Sequence, residues 1–461
     1  MRDPSKLAFL FLTLAACGDD SGSNPIPDSP PPLPDSAEPD GPAGVDVFTD
    51  AEKALLAQLT PLGAVPADPT NAFADNAAAA ALGQMLFFDK SYSGALTVGD
   101  NGTNGGLGAV GATGKVSCHS CHSVGSDALD DRRSKPGNVS LGTNFMTRNS
   151  LGLVNSSFYA WTNWGGRFDS QWSLSLAVAE GATTMKSTRL EVVHMLFNKY
   201  RTEYDAIFPV PLDAALDPAA GDAARFPASG KPKAAAGDPD GAFELMAAGD
   251  RVIANRIYAN FGKAIAAYIR TLVSRDAPFD RYVAGDLDAI SEPAKRGLHT
   301  FLANCASCHI GPNFADDEFH ALAVPQTGLN VPAVDNARFN DVVPLLASAF
   351  NTAGAFSDNT TTGKLSGLAQ AESQRGQFRT KSLRNIAEAG PYMHAGQLAT
   401  LADVVAFYNV GGGDVGATGI VKDPLIVPLN LDTQQQADLV EFLKTLTGER
   451  VPAERLVDTS K

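Results

Sequence analysis

The chain has 461 residues, 44% hydrophobic and 19% charged, which is enough for two globular domains once any tails are set aside. Its formal net charge of −15 argues against nucleic acid and against an anionic membrane surface, and would favour a basic protein as partner.

The chain opens "MRDPSKLAFLFLTLAAC", with Arg2 and Lys6 before a short apolar run that ends Leu14-Ala15-Ala16-Cys17. That run is too short to span a bilayer but suits a secretory signal. Its ending resembles the lipobox of bacterial lipoproteins, which implies cleavage before Cys17 and a lipid anchor on it. An ordinary signal cut nearby would instead discard Cys17. Gly18, rather than Asp, after the cysteine points to the outer membrane. The expected location is therefore the periplasmic side of the envelope, touching membrane only through the lipid. Residues 18–48 are rich in Pro, Asp, Ser and Gly and read as a disordered linker.

Order is expected from Thr49, where "TDAEKALLAQL" couples a capping residue to helical apolar spacing. A second helix reads "NAAAAALGQMLFFD", followed by a Gly-rich loop and then "KVSCHSCHSVG". The chain is loop-rich to about Gly166 and helical through "EVVHMLFNKY"; residues 209–241 read as an exposed excursion. In "NRIYANFGKAIAAYIRTLVS", Ile257, Phe261, Ile265, Tyr268, Ile269 and Leu272 form one apolar face. A hinge, "RDAPFDRYVAGD", leads to the helix "EPAKRGLHTFLANC" and on to "CASCHIGPNF". A variable Gly- and Thr-rich stretch over about 321–375 precedes two late helices, "TLADVVAFYN" and "TQQQADLVEFLKTL". Strand signals are few, so the fold class is mostly α, in two units packed together with long loops, which suits domains whose cores are completed by a large planar cofactor. The expected boundaries are a signal peptide at 1–17, a linker at 18–48, domains at 49–275 and 276–450, and a tail at 451–461.

Four of the five cysteines fall in two copies of one pattern, Cys118-x-x-Cys121-His122 and Cys305-x-x-Cys308-His309. Two thiols three apart on a helical turn can add to the two vinyl groups of one porphyrin, which holds the next residue's imidazole under the iron. Zinc would need the two pairs to close on one ion, and a redox dithiol would want a βαβ setting that is not evident. Two covalently bound haems c are expected, with His122 and His309 as proximal ligands, which makes the two units cytochrome c-like haem domains. The chain has seven histidines, none of them between His122 and His194. The first haem is thus expected to have one open axial position, unless His194, Met146 or Met185 closes it.

The order of motifs resembles the bacterial di-haem cytochrome c peroxidase and MauG family over roughly residues 75–450. "ALGQMLFFDKSYSG", "TRNSLGLVNSSFYAWTNWGGR", "AAYIRTLVSRDAPFDRYVAGD" and "FRTKSLRNIAEAGPYMHAGQLATLADVVAFYNVGGG" carry the resemblance. It implies that Trp164, otherwise read as a core aromatic, relays electrons between the haems. It also implies one calcium ion, bound by Asn149 and the carbonyls of Ala389 and Pro391. Leu401, Val404, Val405 and Tyr408 share a helical face, behind a Thr400/Asp403 capping pair, which alone would explain Tyr408 as core. The resemblance instead makes Tyr408 the second haem's distal ligand, with Met393 and His394 as rivals.

Two positions depart from the family. Thr143 stands where some members have a distal histidine, and Thr184 where the family has the glutamate that moves the peroxide proton. Glu180, one helical turn earlier, is the candidate substitute. The implied activity is reduction of hydrogen peroxide. Electrons would come from a small cytochrome or cupredoxin, or from a side chain of a partner protein, as in MauG. The alternative is a di-haem electron carrier without peroxidase activity.

Overall fold

A computed structural model describes residues 44–98, 107–122 and 137–461. Cys17, the signal peptide and all but the end of the expected linker lie outside the described residues. Twelve helices run through the described chain in the order α1 Asp50–Leu56, α2 Ala77–Phe88, α3 Cys118–Cys121, α4 Gln171–Glu180, α5 Arg189–Ile207, α6 Ala248–Ile269, α7 Pro278–Val283, α8 Glu292–Asn304, α9 Arg338–Ala347, α10 Leu401–Asn409, α11 Val415–Thr418 and α12 Thr433–Lys444. The described sheet is a single antiparallel pair, β1 Phe319–Ala321 against β2 Gln377–Arg379. The expected mostly helical character holds.

Local chemistry explains several helix starts. Thr49 and Glu52 close a capping box on α1, and Thr400 and Asp403 close one on α10. Each satisfies main-chain N–H groups that the first turn leaves unpaired. Packing then selects small residues where helices cross. A Cβ on Gly83 of α2 would lie 1.9 Å from the Ala264 carbonyl oxygen on α6. A Cβ on Gly297 of α8 would lie 2.0 Å from the Asp438 carbonyl oxygen on α12. Any larger residue would force either pair apart.

Those two crossings belong to a repeated unit. Asn155 and Asn385 both adopt left-handed backbone, at φ 60° and 58°. The amide of Asn155 donates to Leu272 and that of Asn385 to Leu446, at 2.9 and 3.0 Å. Their side-chain oxygens accept from the amides of Ser274 and Gly448, each at 2.9 Å. Lone bridges follow in the same register, Thr162 with Phe168 and Tyr392 with Leu398, and then the capped helices α4 and α10. The chain thus builds the same unit twice: a helix, a Cys-x-x-Cys-His turn, an asparagine-pinned loop, a capped helix and a closing helix.

Two large clusters of buried side chains match the two copies. The first gathers residues of α2, α4, α5 and α6 around Trp172, Tyr258 and Phe261; the second gathers residues of α7, α8, α10 and α12 around Phe279, Phe301 and Phe442.

Three expectations need correcting. The N-terminal segment joins the second cluster, not a domain beginning at residue 49: Leu55, Leu56 and Leu59 pack there. The end of the linker is also held, since Asp46 pairs with Lys295 at 3.0 Å and Phe48 stacks on His299. Residues 451–461 are no loose tail, because Val451 is buried in the first cluster and Gln84 donates to the carbonyls of Glu454 and Val457. The stretch 209–241 lacks regular helix, yet Leu212, Leu216 and Phe226 anchor it in the first core.

Candidate functional site

Each Cys-x-x-Cys-His segment forms one turn closed by its own main chain. The amide of His122 donates to Cys118 at 2.9 Å, and that of His309 to Cys305 at 3.0 Å. Burial pushes both the Cys118 and the Cys305 thiols up to about 12. Cys118 packs on the first core and Cys305 on the second, so the two pairs do not converge on one ion. Among the described residues, one group of His, Cys and Asp lies close enough to share a metal: Cys308, Asp316 and His320. His320 is already clamped between Asp423 at 2.7 Å and Asp316 at 3.0 Å.

The second motif opens into a deep, largely apolar cavity. Cys305, Cys308 and His309 line it together with Leu401, Val405 and Tyr408 from α10. His309 Nδ1 lies 3.0 Å from the Phe314 carbonyl oxygen, which fixes the tautomer with Nδ1 protonated and leaves the Nε2 lone pair for a metal. Burial also depresses the imidazole's basicity, keeping it neutral. Burial raises Tyr408, beside Cys305 and Cys308, well above the ordinary phenol range. The hydroxyl is therefore protonated until something as acidic as ferric iron takes its oxygen.

The two rivals to Tyr408 fare differently. Met393 lines the same cavity. His394 does so too, but its Nε2 lies 2.8 Å from the side-chain amide of Gln326 and 3.2 Å from that of Gln397. Those amides donate to the lone pair a ligand would need. Burial holds His394 down to about 4, in keeping with a neutral acceptor.

Trp164 also lines this cavity, edge-on to Phe378 and His394, which stack on each other at 4.2 Å. Its indole Nε1 donates to the Asn149 carbonyl at 2.7 Å. The side-chain amide of Asn149 is buried with neither its oxygen nor its nitrogen hydrogen-bonded. A Cβ on Gly396 would sit 2.8 Å from that amide and 3.1 Å from Pro391, so glycine alone leaves room where Asn149 meets Pro391. An unsatisfied amide oxygen is one donor of the kind calcium takes. Ala389 and Pro391 line the same cavity.

The catalytic candidates near the first motif are placed less favourably. Glu180 forms a two-pronged ion pair with Arg189, at 3.0 and 3.1 Å, and Arg189 is itself packed on Tyr258 and Phe350. The Thr184 hydroxyl donates to the Val178 carbonyl. The Glu180 carboxylate, expected as acid and base, is thus held by a buried guanidinium. The two departures noted in the sequence meet here, since the Thr143 amide donates to the Thr184 carbonyl at 2.7 Å.

The possible sixth ligands of the first haem are also accounted for. His194 Nε2 lies 3.1 Å from the carbonyls of both Phe226 and Pro227, so it carries the proton. His299 is held by Glu52 and the Val45 carbonyl. Met185 is buried in the first core, and Met146 is half-buried. Sequence reading missed Tyr159, Arg379 and Lys381, which also line the second cavity. The alternating basic residues of "FRTKS" were the available signal.

The model of the di-haem cytochrome c peroxidase family matches residues 77–288. The chain is 32% identical to the cytochrome-c peroxidase IdrP1 of Denitromonas iodatirespirans over 411 residues, covering 85% of this chain and 87% of that one. It is 36% identical to the cytochrome-c peroxidase IdrP2 of Pseudomonas sp. (strain SCT) over 190 residues; that match covers 40% of this chain and spans about half, 48%, of the relative. Among solved structures, a MauG-like protein associated with microbial copper homeostasis superposes with a TM-score of 0.56 at 24% identity, covering 86% of this chain and 98% of that one.

Proposed function

The chain belongs to the di-haem cytochrome c peroxidase family, and from that premise we propose that it is an exported oxidoreductase that reduces hydrogen peroxide. Two haems c are attached, one through Cys118, Cys121 and His122, the other through Cys305, Cys308 and His309. Haem iron supplies one-electron redox chemistry and, where an axial position is open, a place for peroxide.

The observation that carries the reading is the contrast between α4 and α10. The repeat places Ser170 and Thr400 at matching caps, and eight residues on stand Val178 and Tyr408. Tyr408 offers an oxygen to the second iron, whereas Val178 has no atom that can bind the first. The histidines outside the motifs whose ring nitrogens are placed above, His194, His299, His320 and His394, are engaged elsewhere. With neither Met146 nor Met185 on the iron, one axial position at the first haem would be left for peroxide, which takes two electrons and two protons to become two waters.

Trp164, in the wall of the second cavity, suits passage of electrons between the two sites. Asn149, Ala389 and Pro391 hold a calcium ion that fixes the loop on which Trp164 leans. The electrons come from a small cytochrome or cupredoxin, or from a side chain of a partner protein oxidised in the manner of MauG. The protein is exported and lipid-anchored at Cys17, on the periplasmic side of the outer membrane.

An absorption and electron paramagnetic resonance titration tests the proposal. A high-spin ferric component that shifts when peroxide is added is the expected result. Two low-spin haems indifferent to peroxide would replace it with the electron-carrier reading, which the pairing of Glu180 with Arg189 favours by removing a proton donor.

A further inference from the structure

Two cations enter the second cavity without a counter-ion. Arg379 is 3% exposed, and its Nη1 is buried with no hydrogen-bond partner. Its guanidinium lies 3.5 Å from the centre of the Tyr159 ring, and Nε reaches the Asn163 carbonyl only at 3.4 Å. Lys381, two residues on, carries its ammonium 5.0 Å from the Tyr159 ring and 5.6 Å from Trp164. Among the described residues, neither has a carboxylate within ion-pair distance.

Several other buried arginines of this chain are paired with carboxylates, and Arg338, which is not, gives its Nη1 to the Gly165 and Gly166 carbonyls, whereas Nη1 of Arg379 has no partner. Arg148 meets Asp335 and Asp341, Arg189 meets Glu180, and Arg384 meets Asp280. A charge in an apolar cavity loses hydration that ring faces and one long carbonyl contact replace only in part, so two side by side call for an anion. That anion must enter a site lined mostly by aliphatic and aromatic side chains, so its charges belong to a molecule otherwise apolar. It must also present two negative groups, one for a planar fork and one for a point charge.

We propose that Arg379 and Lys381 are the counter-charges of the two propionates of the haem attached at Cys305 and Cys308, which rests on the di-haem reading above. Burial lowers Lys381 to about 8, and a propionate beside it would restore its full charge at neutral pH. Tyr159 positions the pair: its oxygen accepts from the Ser382 amide at 2.7 Å, and its ring face carries Arg379.

The test is redox titration of the whole holoprotein, following each haem separately, with haem content measured by pyridine haemochrome. Lys381→Met and Arg379→Gln each remove a positive charge that favours the electron-rich ferrous state. Each is expected to shift the second haem's reduction equilibrium about tenfold towards ferric, about 59 mV for one electron. The first haem should stay unmoved. Lys381→Arg and Arg379→Lys, which keep the charge, are expected to restore the parent value. If either neutral variant lost its second haem, the charge-retaining partner should recover it. Neutral variants that keep both haems at parental potentials would overturn the clamp and leave the di-haem reading intact. An unaltered chain carrying fewer than two haems would overturn that reading, and the clamp with it.

Discussion

The indole nitrogen of Trp164 donates to the main-chain carbonyl of Asn149 at 2.7 Å, while the side chain of the same asparagine is buried and unsatisfied. One residue therefore holds the indole in the wall of the second cavity and carries the unsatisfied amide that would face a cation. Chelating calcium is expected to loosen that loop and slow electron transfer between the haems. Asn149→Ala should weaken calcium binding at least about tenfold and make the rate indifferent to chelator. Stopped-flow reduction with and without chelator measures both. A parental rate that ignores chelator, together with no calcium uptake by calorimetry, would remove the ion from the site.

Tyr408 stands in the second cavity as a phenol kept protonated by burial. An anionic oxygen on ferric iron stabilises the oxidised state, whereas a thioether favours the reduced one. Tyr408→Met is accordingly expected to raise the second haem's midpoint potential while leaving haem content at two. Tyr408→Phe should vacate the position and give that haem a high-spin signal. Spectra of Tyr408→Phe identical to the parent would hand the ligand role to Met393.

Much of this arrangement was legible in the sequence because its causes are local. The Thr49/Glu52 and Thr400/Asp403 boxes lie within single turns, and each Cys-x-x-Cys-His turn is closed by its own main chain. What escaped depends on distant partners. Glu180 looked available until Arg189 was seen to take both of its oxygens. Helix α9 escaped because its first residue follows Ala337 at φ 45° without a side-chain cap, and it contains Pro344. The repeat escaped because it is held by backbone geometry: Asn155 and Asn385 make the same bonds, while side chains around them differ as much as Trp164 and His394.

Val178 follows its cap, Ser170, by the same interval at which Tyr408 follows Thr400. If α4 covers the first haem as α10 covers the second, a ligand introduced there should reach iron. Val178→Met or Val178→His is expected to turn the first haem low-spin and to reduce peroxide turnover at least about a hundredfold, since the substrate's position is then filled. Electron uptake by the second haem should persist. A variant that stays high-spin and active would mean that α4 does not lie over the first iron.

The resemblance read from the sequence sets Thr184 at the position of a proton-moving glutamate, and its hydroxyl donates to the Val178 carbonyl. Glu180 cannot substitute while Arg189 holds it by two hydrogen bonds. Neither of these two described residues is thus placed as a free acid for cleavage of the peroxide bond, and turnover in the parent is expected to be slow. A carboxyl group at the reacting centre contributes about 10²–10⁴-fold. Thr184→Glu is thus expected to raise the peroxide-dependent rate by about a hundredfold or more, with a new ionisation in the pH profile at the carboxyl's own pKa. Glu180→Gln should leave the rate unchanged while lowering thermal stability, because it strips Arg189 of its counter-charge. A Glu180→Gln variant as stable as the parent but without peroxide turnover would return the acid role to Glu180 and void the assignment of slow turnover to Thr184.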